Sequence, residues 1–93
     1  MFEIVASTKF LKDLKLLKKR SASDFNAAQQ LITTLAEKGH HGLGKKHKAH
    51  KLKGEYKGYW ECHIKPDLLL IWDENDRINL IELVRTGTHS DLF

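Results

Sequence analysis

Apolar residues keep a helical period from about position 8 to position 38 of this chain and a strand period on either side. Phe2 to Ala6 alternates weakly and is rich in β-formers, which predicts a first strand. Ser7 suits the cap of a helix reaching about Arg20, because a serine oxygen accepts from the orphan N–H groups of a first turn. Within it Phe10, Leu14 and Leu17 share one stripe, with Leu11 beside them, and Lys9, Lys12, Lys15, Lys19 and Arg20 take the outer face. Lys18, Lys19 and Arg20 crowd the last turn, where cations complement the helix dipole. The polar stretch Ser21 to Asp24 breaks this helix and offers two caps for a second one, which runs to about Lys38. Phe25, Ala28, Ile32 and Leu35 form its stripe, and Gly39 is its stop.

Two such helices need a sheet to cover, and the second half of the chain must supply it. Gly42 to Lys48 reads as loop. Strands are expected near Ala49–Lys53, Tyr56–Ile64, Asp67–Asp73 and Ile78–Thr86, separated by glycines, by Lys65 and Pro66, and by the polar run from Asp73 to Asp76. The connections are too short for parallel crossovers, so these strands should be antiparallel neighbours. The order β-α-α-β-β-β-β predicts one α+β domain over residues 1–93, with a helical hairpin on one face of a mostly antiparallel twisted sheet. From Lys57 to Ile64 the odd positions are polar (Lys57, Tyr59, Glu61, His63). The even ones (Gly58, Trp60, Cys62, Ile64) are small or apolar. One face of this strand therefore meets the helices, and the other is expected on the open side of the sheet. The run Leu68 to Trp72 is apolar at every position, as in a strand buried on both faces.

Composition narrows the class. Apolar residues are 41% and charged residues 30%, which fits a folded domain. The sole cysteine, Cys62, excludes an internal disulfide and a thiolate zinc cluster. No apolar run is long enough to span a bilayer, and the N-terminus lacks a signal-peptide pattern, so a cytoplasmic location is expected. The net charge is +4, yet Gly39 to Gly58 alone holds six lysines and one acid, Glu55, a local +5. A positive excess confined to one stretch suits a polyanion, although a solvated basic loop would read the same way. His40, His41, His47 and His50 could suggest a metal site, but the neighbouring lysines repel a dication and no acid or thiolate lies close by. No metal and no cofactor is expected.

Several groups suited to acid–base work converge on this sheet. His63 and Asp67 flank Lys65 and Pro66. If residues 64–66 form the loop, the two face each other; if only 65–66 turn, they point to opposite faces. His50 precedes the same strands, Arg85 closes the last one, and Gly87 allows the tail carrying His89 and Phe93 to bend back over the sheet. RNA cleavage needs a base for the ribose 2′-hydroxyl, an acid for the departing 5′-oxygen and a cation for the charge on phosphorus. Histidines can serve as both acid and base, Asp67 or Glu61 can orient them, and Arg85 has the forked donors that match a phosphate. Lys45, Lys46, Lys48, Lys51 and Lys53 would hold the strand, with Tyr59 and Phe93 offering faces on which bases stack. Which histidine is acid and which base stays open at this level.

The segments Lys48–Gly54, Lys57–Tyr59, His63–Ile71 and Glu82–His89 through Leu92 and Phe93 together resemble the YafQ branch of the RelE superfamily, the toxins of bacterial toxin–antitoxin pairs. The resemblance spans nearly the whole chain. It implies a RelE-like fold and a ribosome-dependent, metal-independent endoribonuclease that cuts mRNA. It also implies inhibition by a small antitoxin, through which alone operator DNA is bound. His50, His63, Asp67, His89 and Phe93 match family positions important for activity, Glu61 stands at an acidic position, and Arg85 matches the arginine before the final Gly-x-His. Leu68 departs from a pattern in which an aromatic can follow the Asp, which bears on codon preference or activity level but not on the fold. A different class, a module that binds RNA or the ribosome without cutting, would use the same lysines and aromatics.

Overall fold

The computed structural model describes residues 1–93. The first strand is β1 (Glu3–Ala6), followed by helices α1 (Thr8–Arg20) and α2 (Ala22–Lys38). After two 3₁₀ turns come the strands β2 (His50–Lys51), β3 (Trp60–Lys65), β4 (Leu68–Asn75) and β5 (Leu80–Gly87). The short helix α3 (His89–Leu92) ends the chain. The strands form one sheet in the order β1-β5-β4-β3-β2. β2 to β5 are antiparallel neighbours, as their short connections require, whereas β1 runs parallel to β5 because the helical hairpin lies between them in sequence. No helix is long and apolar enough to cross a membrane.

The capping expectations hold in detail. Ser7 accepts from Phe10 N at 3.0 Å and donates to the Val84 carbonyl at 2.8 Å, so one hydroxyl starts α1 and ties it to β5. Ser21 ends α1 through its own N–H and starts α2 by accepting from Asp24 N at 3.1 Å. Gly39 ends α2 at φ 66°, and a Cβ there would meet Glu74 Oε2 at 2.7 Å and the Phe2 ring at 2.9 Å. Both backbone angle and space therefore require glycine.

The helices cover one face of the sheet. Phe10, Leu17, Ala28, Leu31 and Leu35 pack there against Cys62, Ile64, Leu68, Leu70, Trp72, Ile81 and Leu83. The even residues of β3 all belong to this side, as their parity predicts. Burying each large apolar side chain contributes roughly 1.5–3 kcal/mol. β4 is buried from Leu68 to Trp72, none of the five being more than 3% exposed. Its other face carries Leu69 and Ile71, which meet Leu92 of α3 and, at their margins, Leu52, Tyr56, Tyr59 and Val84.

Two expectations change. The strand expected over 49–53 shrinks to His50–Lys51, and the strand expected from Tyr56 begins only at Trp60, with Tyr56 ending the 3₁₀ turn Gly54–Tyr56. Positive φ at Gly54 and Gly58 bends this stretch over the sheet instead of extending it.

Cys62 is fully enclosed, and burial, reinforced by the Glu61 charge, pushes its thiol from an ordinary 9.0 up to about 12. The native thiol is expected to resist Ellman's reagent at pH 8 while the urea-denatured chain reacts at once. A raised pKa favours the folded state fully below the unfolded value near 9. That contribution is lost as pH climbs toward 12, so Cys62→Ala should flatten part of the alkaline fall in stability.

Candidate active site

Strand pairing, more than chain proximity, assembles the candidate residues. His50 pairs with Glu61, Glu61 with Ile71, and Ile71 with Arg85, so these four form one row across β2, β3, β4 and β5. His63, Leu69 and Gly87 form the next row on the same face. Paired antiparallel residues share a face. His50, Glu61, His63 and Arg85 thus lie on the side away from the main core, and the tail returns to that side with His89 and Phe93.

That face is not open throughout, as strand parity alone would have it. Glu61 is only 7% exposed, because residues 52–59 and α3 fold over the sheet around it. Its carboxylate Oε1 lies 3.3 Å from His50 Nε2. His50 Nδ1 lies 2.8 Å from the Lys48 carbonyl, which can only accept, so Nδ1 carries a proton. With the Glu61 carboxylate facing the other nitrogen, the ring is held between a carbonyl and a carboxylate.

His63 is arranged differently. Its Nδ1 donates to the Pro66 carbonyl at 3.1 Å, which leaves Nε2 as the lone-pair nitrogen of the neutral ring. The β3–β4 connection follows neither of the two alternatives weighed above. Lys65 pairs with Leu68, the turn is Pro66 and Asp67, and a bulge between His63 and Lys65 absorbs the odd residue. Asp67 therefore sits in the turn itself, where its Oδ1 lies 3.5 Å from His89 N, at the start of α3.

Arg85 is not free. Its guanidinium donates to both oxygens of Asp13 at 2.7 and 3.1 Å, and Asp13 also accepts from Thr86 N at 3.1 Å. The Asp13 hydrogen bond raises the Arg85 pKa above its ordinary range, with burial opposing, Asp13's charge adding and Tyr56 contributing last. Arg85 is a clamped cation, and its charge acts from a fixed place. Sequence reasoning missed Asp13, although it is the one acid in the otherwise cationic α1, which could have marked it.

Tyr56 was also missed. Its ring lies 6.0 Å from Phe93, edge to face, and 6.3 Å from Tyr59, and Phe93 lies 5.1 Å from His89. These rings make a continuous aromatic margin on the same face. Its signal was the Tyr56-x-x-Tyr59 repeat, overlooked because the stretch read as strand. Leu68 is buried under the helices and takes no part. Lys45, Lys46, Lys48, Lys51 and Lys53 are exposed, and Lys51 Nζ lies 5.7 Å above the Trp60 ring.

Of His40, His41, His47 and His50, three have separate polar partners. His40 binds Glu74, His47 the His63 carbonyl, and His50 Glu61, and no group of three or more potential ligands assembles.

The tail is held by Asp91, which accepts from Thr88 N at 3.0 Å and forms an ion pair with Arg20 at 3.0 Å. The Thr88 backbone hydrogen bond, helped by the Thr88 hydroxyl and Arg20 against some desolvation, lowers the Asp91 pKa below 3.8. A lowered pKa favours docking above the ordinary carboxylate range, and that contribution disappears as pH falls below it. Asp91→Ala at neutral pH, or acidification of the native protein, is expected to lower the amide protection factors in α3, each taken relative to the intrinsic exchange rate at that pH. The β4 amides should stay protected in the Asp91→Ala protein.

A mixed sheet under a helical hairpin, with histidines and carboxylates on one face, defines a small α+β domain with a candidate acid–base site. The chain belongs to the YafQ family, bacterial toxins of type II toxin–antitoxin systems, whose sequence profile matches residues 2–93. It is 38% identical over 91 residues to the mRNA interferase toxin YafQ of Escherichia coli K12, covering 98% of this chain and 95% of that protein. The crystal structure of YafQ from E. coli BL21(DE3) superposes with a TM-score of 0.88 at 36% identity, covering 100% of this chain and 99% of that one. YafQ in the E. coli DinJ–YafQ complex superposes with a TM-score of 0.86 at 38% identity, with the same coverage.

Proposed function

We propose that this toxin is an endoribonuclease that cuts mRNA on the ribosome by acid–base attack of the ribose 2′-hydroxyl, and that an antitoxin protein restrains it. The observation that carries the reading is the pair of unlike imidazoles on one sheet face. His63 has Nδ1 committed to the Pro66 carbonyl and Nε2 left for a ligand, and His50 lies between a carbonyl and the Glu61 carboxylate.

In this reading His63 takes the 2′-proton, and the oxygen attacks phosphorus to form a 2′,3′-cyclic phosphate. His50 or His89 returns a proton to the leaving 5′-oxygen. Arg85, held by Asp13, stabilises the charge on the phosphoryl oxygens. Asp67 orients the start of α3 and with it His89, and Phe93, Tyr56 and Tyr59 offer faces for the bases. The chain's own side chains supply acid, base and cation, so the proposed route calls for no metal. The lysine-rich loop draws the strand by its charge, in a cytoplasmic setting where ribosomes and an acidic antitoxin compete for it.

The test is incubation with translating ribosomes, with new mRNA ends mapped and typed. New ends bearing a 2′,3′-cyclic phosphate are expected; intact message, or 3′-hydroxyl ends, would overturn the reading.

A further inference from the structure

We propose that the cavity along the outer edge of β3 is a binding site for one backbone phosphate of the RNA strand, adjoining the groups that cut and sharing His63 with them. The identity of the strand rests on the nuclease reading above; the chemistry of the site does not.

The cavity exists because β2 is short. It pairs only with Trp60 and Glu61, so the outer edge of β3 has no strand neighbour from Cys62 onward. The 3₁₀ turn Lys45–His47 lies beside it instead, and His47 Nδ1 donates to the His63 carbonyl at 2.7 Å. One ring replaces a strand there and stands off the edge, leaving a space of about 440 Å³ between the turn and the β3–β4 hairpin.

Lys46, His47, Lys48, His63 and Lys65 line this space, and no carboxylate does. The Lys65 ammonium is already neutralised by Asp24 at 2.7 Å and bound to Ser23 at 2.9 Å. Lys46 and Lys48 have no ion-pair partner, so two uncompensated cations face a concave site. His47 spends Nδ1 on the carbonyl and keeps Nε2 for a ligand.

Ile64 and Pro66 are the apolar residues of the wall and it holds no Phe, Tyr or Trp, whereas sites for protein segments centre on large apolar or aromatic anchors. His63 belongs both to this wall and to the candidate active face, so a strand engaged at His63 is continuous with whatever fills the cavity. A phosphodiester anion fits both facts.

The experiment measures the affinity of the full chain for a 2′-O-methyl RNA hexanucleotide, which cannot be cut, across a series of salt concentrations. K46Q/K48Q is compared with K45Q/K53Q, which removes the same charge from the same loop outside the cavity. K46Q/K48Q should bind about tenfold more weakly, and its log–log salt slope should fall by about 0.7, one phosphate contact on a single strand. K45Q/K53Q should lose severalfold less. In wild type, inorganic phosphate should shift the amide signals of residues 46–48 saturably.

Equal losses in the two variants would make the attraction diffuse and overturn the site. So would unchanged RNA affinity in K46Q/K48Q with weakened antitoxin binding, which would give the surface to a protein partner. The two readings fail separately. If wild type leaves translated mRNA intact while K46Q/K48Q loses RNA, the phosphate site stands and the nuclease falls. If wild type cuts and K46Q/K48Q binds as tightly as before, the reverse holds.

Discussion

Alanine at His63 is expected to lower cleavage of translated mRNA by about 10²–10⁴-fold, the range for loss of a positioned acid or base. The side chain is half-buried, and its hydrogen bond is to the nearby Pro66 carbonyl at 3.1 Å. Removing the ring leaves the Pro66 carbonyl at an exposed turn, where water can replace the donor. The urea midpoint should therefore stay close to wild type. Glutamine at 63 can still donate to Pro66 but has no lone-pair nitrogen for a base, so it should be as inactive as alanine. Cleavage by either variant within threefold of wild type, by primer extension on the same ribosomes, would remove His63 from the reaction.

Alanine at Glu74 is expected to cost about 2–4 kcal/mol of stability, a large part of the 5–15 kcal/mol typical of a small domain. The Glu74 side chain is 2% exposed, at the junction of β4 with the end of α2. It accepts from Trp72 Nε1 at 2.9 Å and from His40 N at 3.0 Å, and it pairs with His40 Nδ1 at 2.6 Å. Truncation strands the indole N–H of fully buried Trp72 and the His40 N–H together. The His40 ring, stacked on Trp60 at 4.0 Å, would lose its anchor as well. Glu74→Gln keeps an acceptor oxygen and should cost less than half as much. Urea unfolding of the two variants, read by tryptophan fluorescence, gives both numbers. A loss below about 1 kcal/mol for alanine would show that water replaces the carboxylate.

These two sites differ in how far the sequence announced them. His63 stands in an alternating strand beside a proline turn, and its apolar neighbours at 62 and 64 declare which way it faces. Glu74 sits in a polar run that reads as a turn; nothing local shows that it points inward to meet a histidine 34 positions away. Asp13 is an intermediate case. Its isolation among cations was visible, but its partners Arg85 and Thr86 became neighbours only when α1 packed against β5.

Local pattern by itself determined the helices, their caps at Ser7 and Ser21, the glycine stop at 39 and the buried run of β4. Each depends on residues within a turn or two along the chain, where spacing and side-chain chemistry suffice. Long-range packing decided the parallel placement of β1, the bulge that puts Asp67 in the turn and the covering of Glu61. It also joined Asp13 to Arg85 and opened the cavity beside β3. Those features depend on register and on contacts between distant segments, whose energies no single stretch of sequence carries.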